Sequence, residues 1–261
     1  MDVELLIEAS VATVRLNRPE SLNALSAESL RLLCDYADEI EANPAIRAVV
    51  LCGQGRSFCA GADIKGSGAT SAPPVMSVSY ARKGMFTWQQ TLLKFHNLNK
   101  PVVCAVRGHA VGIGWSLAMT SDQIIASETA LFCANFLNRA TVPEGGLVHV
   151  LAKNIGQLRA KEVVFSRRRV SADEASMLGL VNKVVPDDEL EDQAQILARE
   201  LAALPTFSVG LTKQLFRANC GSIEEFLGLE LNAVALAVNS QDATEGRAAA
   251  REKRSPDFKG L

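Results

Sequence analysis

The chain has 261 residues, 48% of them hydrophobic and 21% charged, which supports a sizeable buried core and excludes a disordered tail or a coiled rod. Its 27 Lys and Arg against 29 Asp and Glu leave a formal charge of -2, so nothing draws it generally to nucleic acid or an anionic membrane, and an anionic partner needs a local basic site. The long uncharged stretch between Arg107 and Asp122 is too short for a membrane span, Met1-Asp2-Val3-Glu4 lacks a signal peptide's basic region, and Phe258-Lys259-Gly260-Leu261 misses the peroxisomal address, so the cytoplasm is the expected compartment.

Val3–Glu8 and Ala12–Leu16 read as two short strands around Ala9-Ser10, and Pro19 ends the second. Ser26 is placed to cap a helix, with Ser29 rather than Glu at the third helical position and Leu30, Leu33, Ala37 and Ile40 along one face. Val49-Val50-Leu51-Cys52-Gly53 is an apolar run closed by glycine, as in a buried strand. Residues 66–79 are a Gly-, Ser- and Pro-rich loop too short to separate domains. A helix is expected over 80–97, a buried strand over Pro101–Val106, a helix over 114–121, and strands at Gln123–Ala126 and Leu131–Phe132. From Leu147 the pattern is helical over 147–154, 157–165, 172–178, 188–203, 206–219 and 222–238, interrupted by a strand at Val181–Val185. No repeat of fixed period is visible, and strands alternating with helices argue for an α/β fold with parallel strands joined by crossovers.

Cys34, Cys52, Cys59, Cys104, Cys133 and Cys220 are scattered, mostly beside Leu, Val or Phe, and suit buried hydrophobes better than zinc ligands or disulfides. The three histidines, His96, His109 and His149, show no metal-ligand spacing, so no metal is expected. The run Gly108-His109-Ala110-Val111-Gly112-Ile113-Gly114 lacks the dinucleotide spacing and the phosphate-loop lysine. It reads instead as a strand running through glycines into a helix, which presents free N–H groups to an oxyanion. Phe58-Cys59-Ala60-Gly61-Ala62-Asp63 is a second such turn, and two turns can give one donor each to a single carbonyl oxygen. Two tight, closely packed turns explain the same residues without any chemistry.

Five groups of residues share one register from about Leu16 to Phe258: Arg18-Pro19 with Asn23-Ala24-Leu25; Ser57 through Ile64; Lys100-Pro101-Val102 through Gly112; Ser171-Ala172-Asp173-Glu174-Ala175 with Gly179-Leu180-Val181; and Glu245-Gly246-Arg247-Ala248 with Glu252 through Phe258. Together they resemble the crotonase family, also called the enoyl-CoA hydratase/isomerase family. The resemblance implies a crotonase-like spiral of ββα units over residues 1–200 and a helical C-terminal trimerisation region over 201–261. It implies an acyl-CoA substrate, no cofactor beyond the coenzyme A of that thioester, and a homotrimer or dimer of trimers. Oxyanion donors are expected at the backbone N–H groups of Ala62 and Ile113, where Ile113 replaces the family's usual glycine and its side chain is expected to narrow the space. Arg18, Lys65 and Lys259 are expected near the coenzyme A phosphates, and Ala24, Ala60, Asp63, Ile64 and Gly112 along the bound thioester. Trp115 and Phe136 suit either an acyl or aryl pocket or the core.

Hydratases of the family carry two glutamates, and the matching positions here are Ser116 and Phe136. Hydration needs one group to activate water and another to deliver a proton, so their loss disfavours it. Glu144, in Thr141-Val142-Pro143-Glu144-Gly145-Gly146, resembles the base of the family's Δ3,Δ2-enoyl-CoA isomerases, and Pro143 fits the first turn of a helix. The resemblance implies that this carboxylate removes a proton from C2 and returns it at C4. Burial against Phe132, Phe136 and Leu137 is expected to raise its pKa. Without the family register, Glu144 reads as a helix-end acid favoured by the macrodipole. Other readings are another acyl-CoA enzyme of the same fold (hydratase, aryl-CoA dehalogenase or thioesterase) or a non-catalytic CoA-binding subunit. His109 and His149 read as packed or surface histidines, and Arg167-Arg168-Arg169 as a solvated run.

Overall fold

The computed structural model describes residues 1–63 and 77–261. A first sheet contains β1 (Val3–Glu8), β2 (Val11–Leu16), β3 (Ala48–Gly53), β4 (Val102–Val106), β6 (Gln123–Ser127) and β9 (Lys183–Val185), in that spatial order. A second contains β5 (His109–Val111), β7 (Leu131–Cys133) and β8 (Val170–Ser171). Only the β1–β2 hairpin is antiparallel in the first sheet. Parallel strands are covered on both faces, which is why β3 reads as an unbroken apolar run. Val49 and Leu51 join the core that holds Leu33, Ala37 and Ile40 of α1 (Ala27–Ala42), while Val50 and Cys52 join the core that holds Ala194, Ala198 and Ala202 of α6 (Leu190–Ala202).

Helix α1 starts where expected, with the Ser26 hydroxyl accepting from the Ser29 N–H at 3.0 Å and the Ser29 hydroxyl accepting from the Ser26 N–H at 3.2 Å. The remaining helices are α2 (Val78–Asn97), α3 (Ile113–Ala118), α4 (Leu147–Ser166), α5 (Ala172–Met177), α7 (Thr206–Arg217), α8 (Ile223–Ala237) and α9 (Gln241–Glu252). The two helices expected over 147–165 are the halves of α4, divided at Gly156. The expected loop over 66–79 lies outside the described residues up to residue 76, and α2 already begins at Val78.

The turn Arg107-Gly108 carries the chain from β4 in one sheet to β5 in the other. Gly108 has φ +56°, and a Cβ there would overlap the Arg56 carbonyl oxygen, so only glycine makes this corner. The move repeats from β6 to β7, and β5 pairs with β7 in parallel as β4 does with β6, which makes a spiral of ββα units. Val49 pairs with Val102 but Val103 with Gln123, so successive turns consume very different lengths of chain and no fixed period reaches the sequence.

Several elements differ from expectation. β5 and β8 are three and two residues long, too short for a periodic signal, and the helix expected over 114–121 ends at Ala118. α9 has too few large apolar residues to form a stripe, although Ser240, which accepts from the Ala243 N–H at 3.0 Å, is a legible cap. Its buried Asp242 accepts from the N–H groups of Lys259 and Gly260 at 2.6 and 2.7 Å and folds the C-terminus back.

A buried charge fastens α7 to the sheet. Lys213 Nζ donates to the Asp122 carboxylate at 2.6 Å and to the Lys100 carbonyl at 2.8 Å, and Asp122 also accepts the Val102 N–H at 2.7 Å. Burial lowers the Lys213 pKa, with Asp122 opposing the shift. Asp122→Ala strands the ammonium in the interior and should cost about 3 kcal/mol of unfolding free energy, read from the urea midpoint.

In contrast, α8 has no buried residue, although Ile223, Leu227, Leu231, Val234 and Leu236 all lie on it. Among the described residues, no helix is long and apolar enough to cross a membrane.

Candidate active site

Two segments run side by side beyond the first sheet. Cys59 forms a parallel bridge with Ala110, through the Cys59 N–H to the His109 carbonyl at 2.8 Å and the Val111 N–H to the Cys59 carbonyl at 2.9 Å. The two segments stay close beyond the bridge: a Cβ on Gly61 would lie 2.9 Å from the Val111 carbonyl oxygen, and one on Gly114 would lie 2.6 Å from the Cys59 carbonyl oxygen. Ala62 is also bridged to Leu25, using the Gly61 carbonyl at 2.8 Å and the Asp63 N–H at 2.9 Å. Those bonds use the groups flanking Ala62, so its own N–H points away from Leu25. Among the described residues, no backbone acceptor takes the N–H of Ala62 or Ile113. Amides left free in this way are the kind of donor that an oxyanion requires.

The Ile113 side chain is buried, and its Cδ1 lies 2.7 Å from the position a Cβ on Gly145 would take. The Ile113 side chain therefore packs against the turn that carries Glu144. Gly145 has φ +66°, and a Cβ there would also meet Leu92 Cδ1 and, at 2.8 Å, Ser116 Cβ. Glycine is required by the backbone and by the close approach alike.

Glu144 itself is half-buried. It does not sit in a first helical turn with Pro143 before it, as expected: Gly145 and Gly146 are both left-handed, and Gly146 is the N-cap of α4. Burial raises the Glu144 pKa above the ordinary glutamate value. The Ser116 hydroxyl donates to the Glu144 backbone carbonyl at 2.8 Å. Phe132 packs against Trp115 with ring centroids 5.6 Å apart, Phe136 is buried with its ring 3.7 Å from the Cβ position of Gly112, and Leu137 is an exposed hydrophobic. Trp115 has no exposed surface and its indole N–H finds no partner among the described residues, so it belongs to the core and lines no open pocket.

Arg18 braces the site from inside. Its guanidinium reaches Asp63 at 2.8 Å, the Ala24 carbonyl at 2.7 Å and Asp2 at 3.4 Å, so it is not a bare cation awaiting phosphate. The Ala60 N–H bonds to the Leu22 carbonyl at 2.9 Å, and the Gly112 N–H to the Cys133 carbonyl at 2.9 Å, so both amides are occupied. Asn23 was legible only as part of a motif, yet its buried side chain accepts from the Arg18 N–H at 2.8 Å and donates to the carbonyls of Ser57 and Gln54 at 2.7 and 3.0 Å. Leu92 was missed because an apolar residue on an amphipathic helix carries no mark that separates a site from the core.

Lys259 is not brought to this cluster within one chain. Arg47 donates to the Phe258 carbonyl at 2.6 Å just before β3 begins, whereas Ala62 and Asp63 follow that strand's other end, and the Lys259 ammonium pairs with Asp257 at 2.6 Å. Ile64 and Lys65 lie outside the described residues. His149 is exposed on α4, and His109 lines a separate cleft of about 680 Å³ with Leu22, Arg56 and Asp187. Cys59 is fully buried and its thiol is pushed up to about 12, so it offers no thiolate beside the amides. Among the described residues, no cluster of His, Cys, Asp and Glu is arranged to hold a metal ion.

The family model described as enoyl-CoA hydratase/isomerase matches residues 6–261. The chain is 36% identical over 257 residues to the 1,2-epoxyphenylacetyl-CoA isomerase of Escherichia coli K12, with 97% of each chain covered. It is 33% identical over 264 residues to the carnitinyl-CoA dehydratase of Proteus mirabilis, covering 99% of this chain and 98% of that one. The crystal structure of enoyl-CoA hydratase from Bacillus anthracis matches it with a TM-score of 0.91 at 31% identity, covering 100% of both chains. These relatives are named for different reactions, so the reaction has to be read from the side chains.

Proposed function

This chain belongs to the enoyl-CoA hydratase/isomerase family, and from that premise we propose that it isomerises 3-enoyl-CoA to 2-enoyl-CoA with Glu144 as its proton shuttle. The observation that carries the reading is a half-buried carboxylate whose burial raises its pKa, in a turn packed on Ile113, while the two positions that hold acids in hydratases are Ser116 and Phe136. The thioester oxygen accepts from the N–H groups of Ala62 and Ile113. Glu144 takes a proton from C2, and the electron pair of that C–H bond moves onto the held oxygen. The protonated Glu144 then gives the proton to C4 as the double bond settles between C2 and C3. A carboxyl pKa raised by burial suits a group that must act as base and then as acid. Coenzyme A takes part only as the substrate's handle.

A second reading, isomerisation of an aryl epoxide thioester, is favoured by the 36% identity to the E. coli relative. Assaying 3-enoyl-CoA, 2-enoyl-CoA, 4-halobenzoyl-CoA and 1,2-epoxyphenylacetyl-CoA side by side separates the readings. Turnover of 3-enoyl-CoA should exceed hydration of 2-enoyl-CoA by at least ~10-fold, because the second acid is missing. The reverse order would overturn the proposal. The assembly proposed with this function is a homotrimer or a dimer of trimers, supported by the uncovered apolar surface of α8.

A further inference from the structure

Helix α3 touches the Glu144 turn twice. Ile113 places its Cδ1 beneath Gly145, and Ser116, three residues on and therefore on the same helix face, places its Cβ against the same glycine and its hydroxyl on the Glu144 carbonyl at 2.8 Å. The hydroxyl has one proton to give, and its alternative acceptor, the Gly112 carbonyl, is at the long distance of 3.4 Å. The Glu144 carbonyl has little else: the Leu147 N–H reaches it only at 3.5 Å. Two successive glycines with positive φ follow, so the backbone after Glu144 has wide freedom unless something outside the turn holds it. Read as a sequence, position 116 is only an acid that has been lost. In the fold it is a buried donor aimed at the peptide that carries the remaining acid.

We propose that Ser116 is a positioning residue, whose hydroxyl fixes the Glu144 peptide and thereby sets the Glu144 carboxylate toward C2 and C4 of the thioester whose oxygen is held at the Ile113 N–H. The inference rests on the reading of Glu144 as the base. Its chemistry is geometric: a proton moves between C2 and C4 through one carboxyl, and misplacement by about 1 Å costs on the order of 10²-fold in rate. The same helix supplies the oxyanion donor and the tether, so the tether fixes the base relative to the donor.

The test compares Ser116→Ala, Ser116→Thr, Glu144→Gln and the double variant Ser116→Ala with Glu144→Gln, using 3-enoyl-CoA and a thermal melt of each. Ser116→Ala should lower kcat by ~10-fold with KM within about twofold, since binding does not use the tether. Ser116→Thr keeps the hydroxyl and should recover most of kcat. In the Glu144→Gln background the alanine should cost almost nothing further, because no base remains to misplace. The proposal is overturned if Ser116→Ala turns over at the wild-type rate, if kcat falls only in step with the melting midpoint and Thr does not restore it, or if the two losses add in full. An active Glu144→Gln variant would sink the reading of Glu144 as base, whatever Ser116 does. An inactive Glu144→Gln beside an unaffected Ser116→Ala would remove only the positioning role.

Discussion

Glu144→Gln should lower turnover of 3-enoyl-CoA by at least ~10²-fold while KM moves by no more than a few-fold. Glutamine keeps the size of the side chain, and the Ser116 hydroxyl bonds to the backbone of residue 144, so the turn itself is preserved. What is lost is the exchangeable carboxyl proton. The wild-type rate should climb with pH as Glu144 ionises, with a midpoint above the ordinary glutamate value because burial disfavours the charged carboxylate. That limb should be missing from any residual activity of the glutamine variant. Stability carries the same signature with a definite sign. A carboxyl whose folded pKa is raised binds more protons in the folded than in the unfolded state between the two pKa values, so its contribution falls as pH rises through that window. The glutamine variant does not titrate there and should gain stability relative to wild type across it, which paired urea midpoints at several pH values will read. Near-normal isomerisation by Glu144→Gln would refute the mechanism.

Arginine at Leu229 or Leu236 on α8 should break the assembly while each chain stays folded. Both side chains are already exposed in the single chain, so a charge there disturbs no core within it. A buried leucine contributes roughly 1.5–3 kcal/mol, repeated at every symmetric interface, and an unpaired charge buried in its place adds a desolvation penalty. Light scattering on the wild type should give three or six times the chain mass of 28.0 kDa, and the arginine variants should move toward a single chain. A wild-type mass near 28.0 kDa at micromolar concentration would refute the assembly.

Much of the architecture follows from rules that act over a few residues. The Ser26 cap, the apolar face of α1, the two-faced burial of β3 and the break near Gly156 are each encoded within one turn or one strand, and each is found where those rules place it. The family is legible in the same way, since its motifs are short and in order. The proposal of Glu144 also starts from the sequence, because the competing acid positions are Ser and Phe. Tertiary structure alone decides how these parts meet. Ile113 lies under Gly145, Ser116 bonds the Glu144 carbonyl, Arg18 is neutralised by Asp63, Trp115 is sealed in the core, and Lys259 stands beyond the far end of β3. Each of these outcomes joins segments far apart in the chain through the register of parallel strands. Crossovers of very unequal length set that register and leave no period in the sequence, so no local pattern of residue types could have specified which side chains face one another across the site.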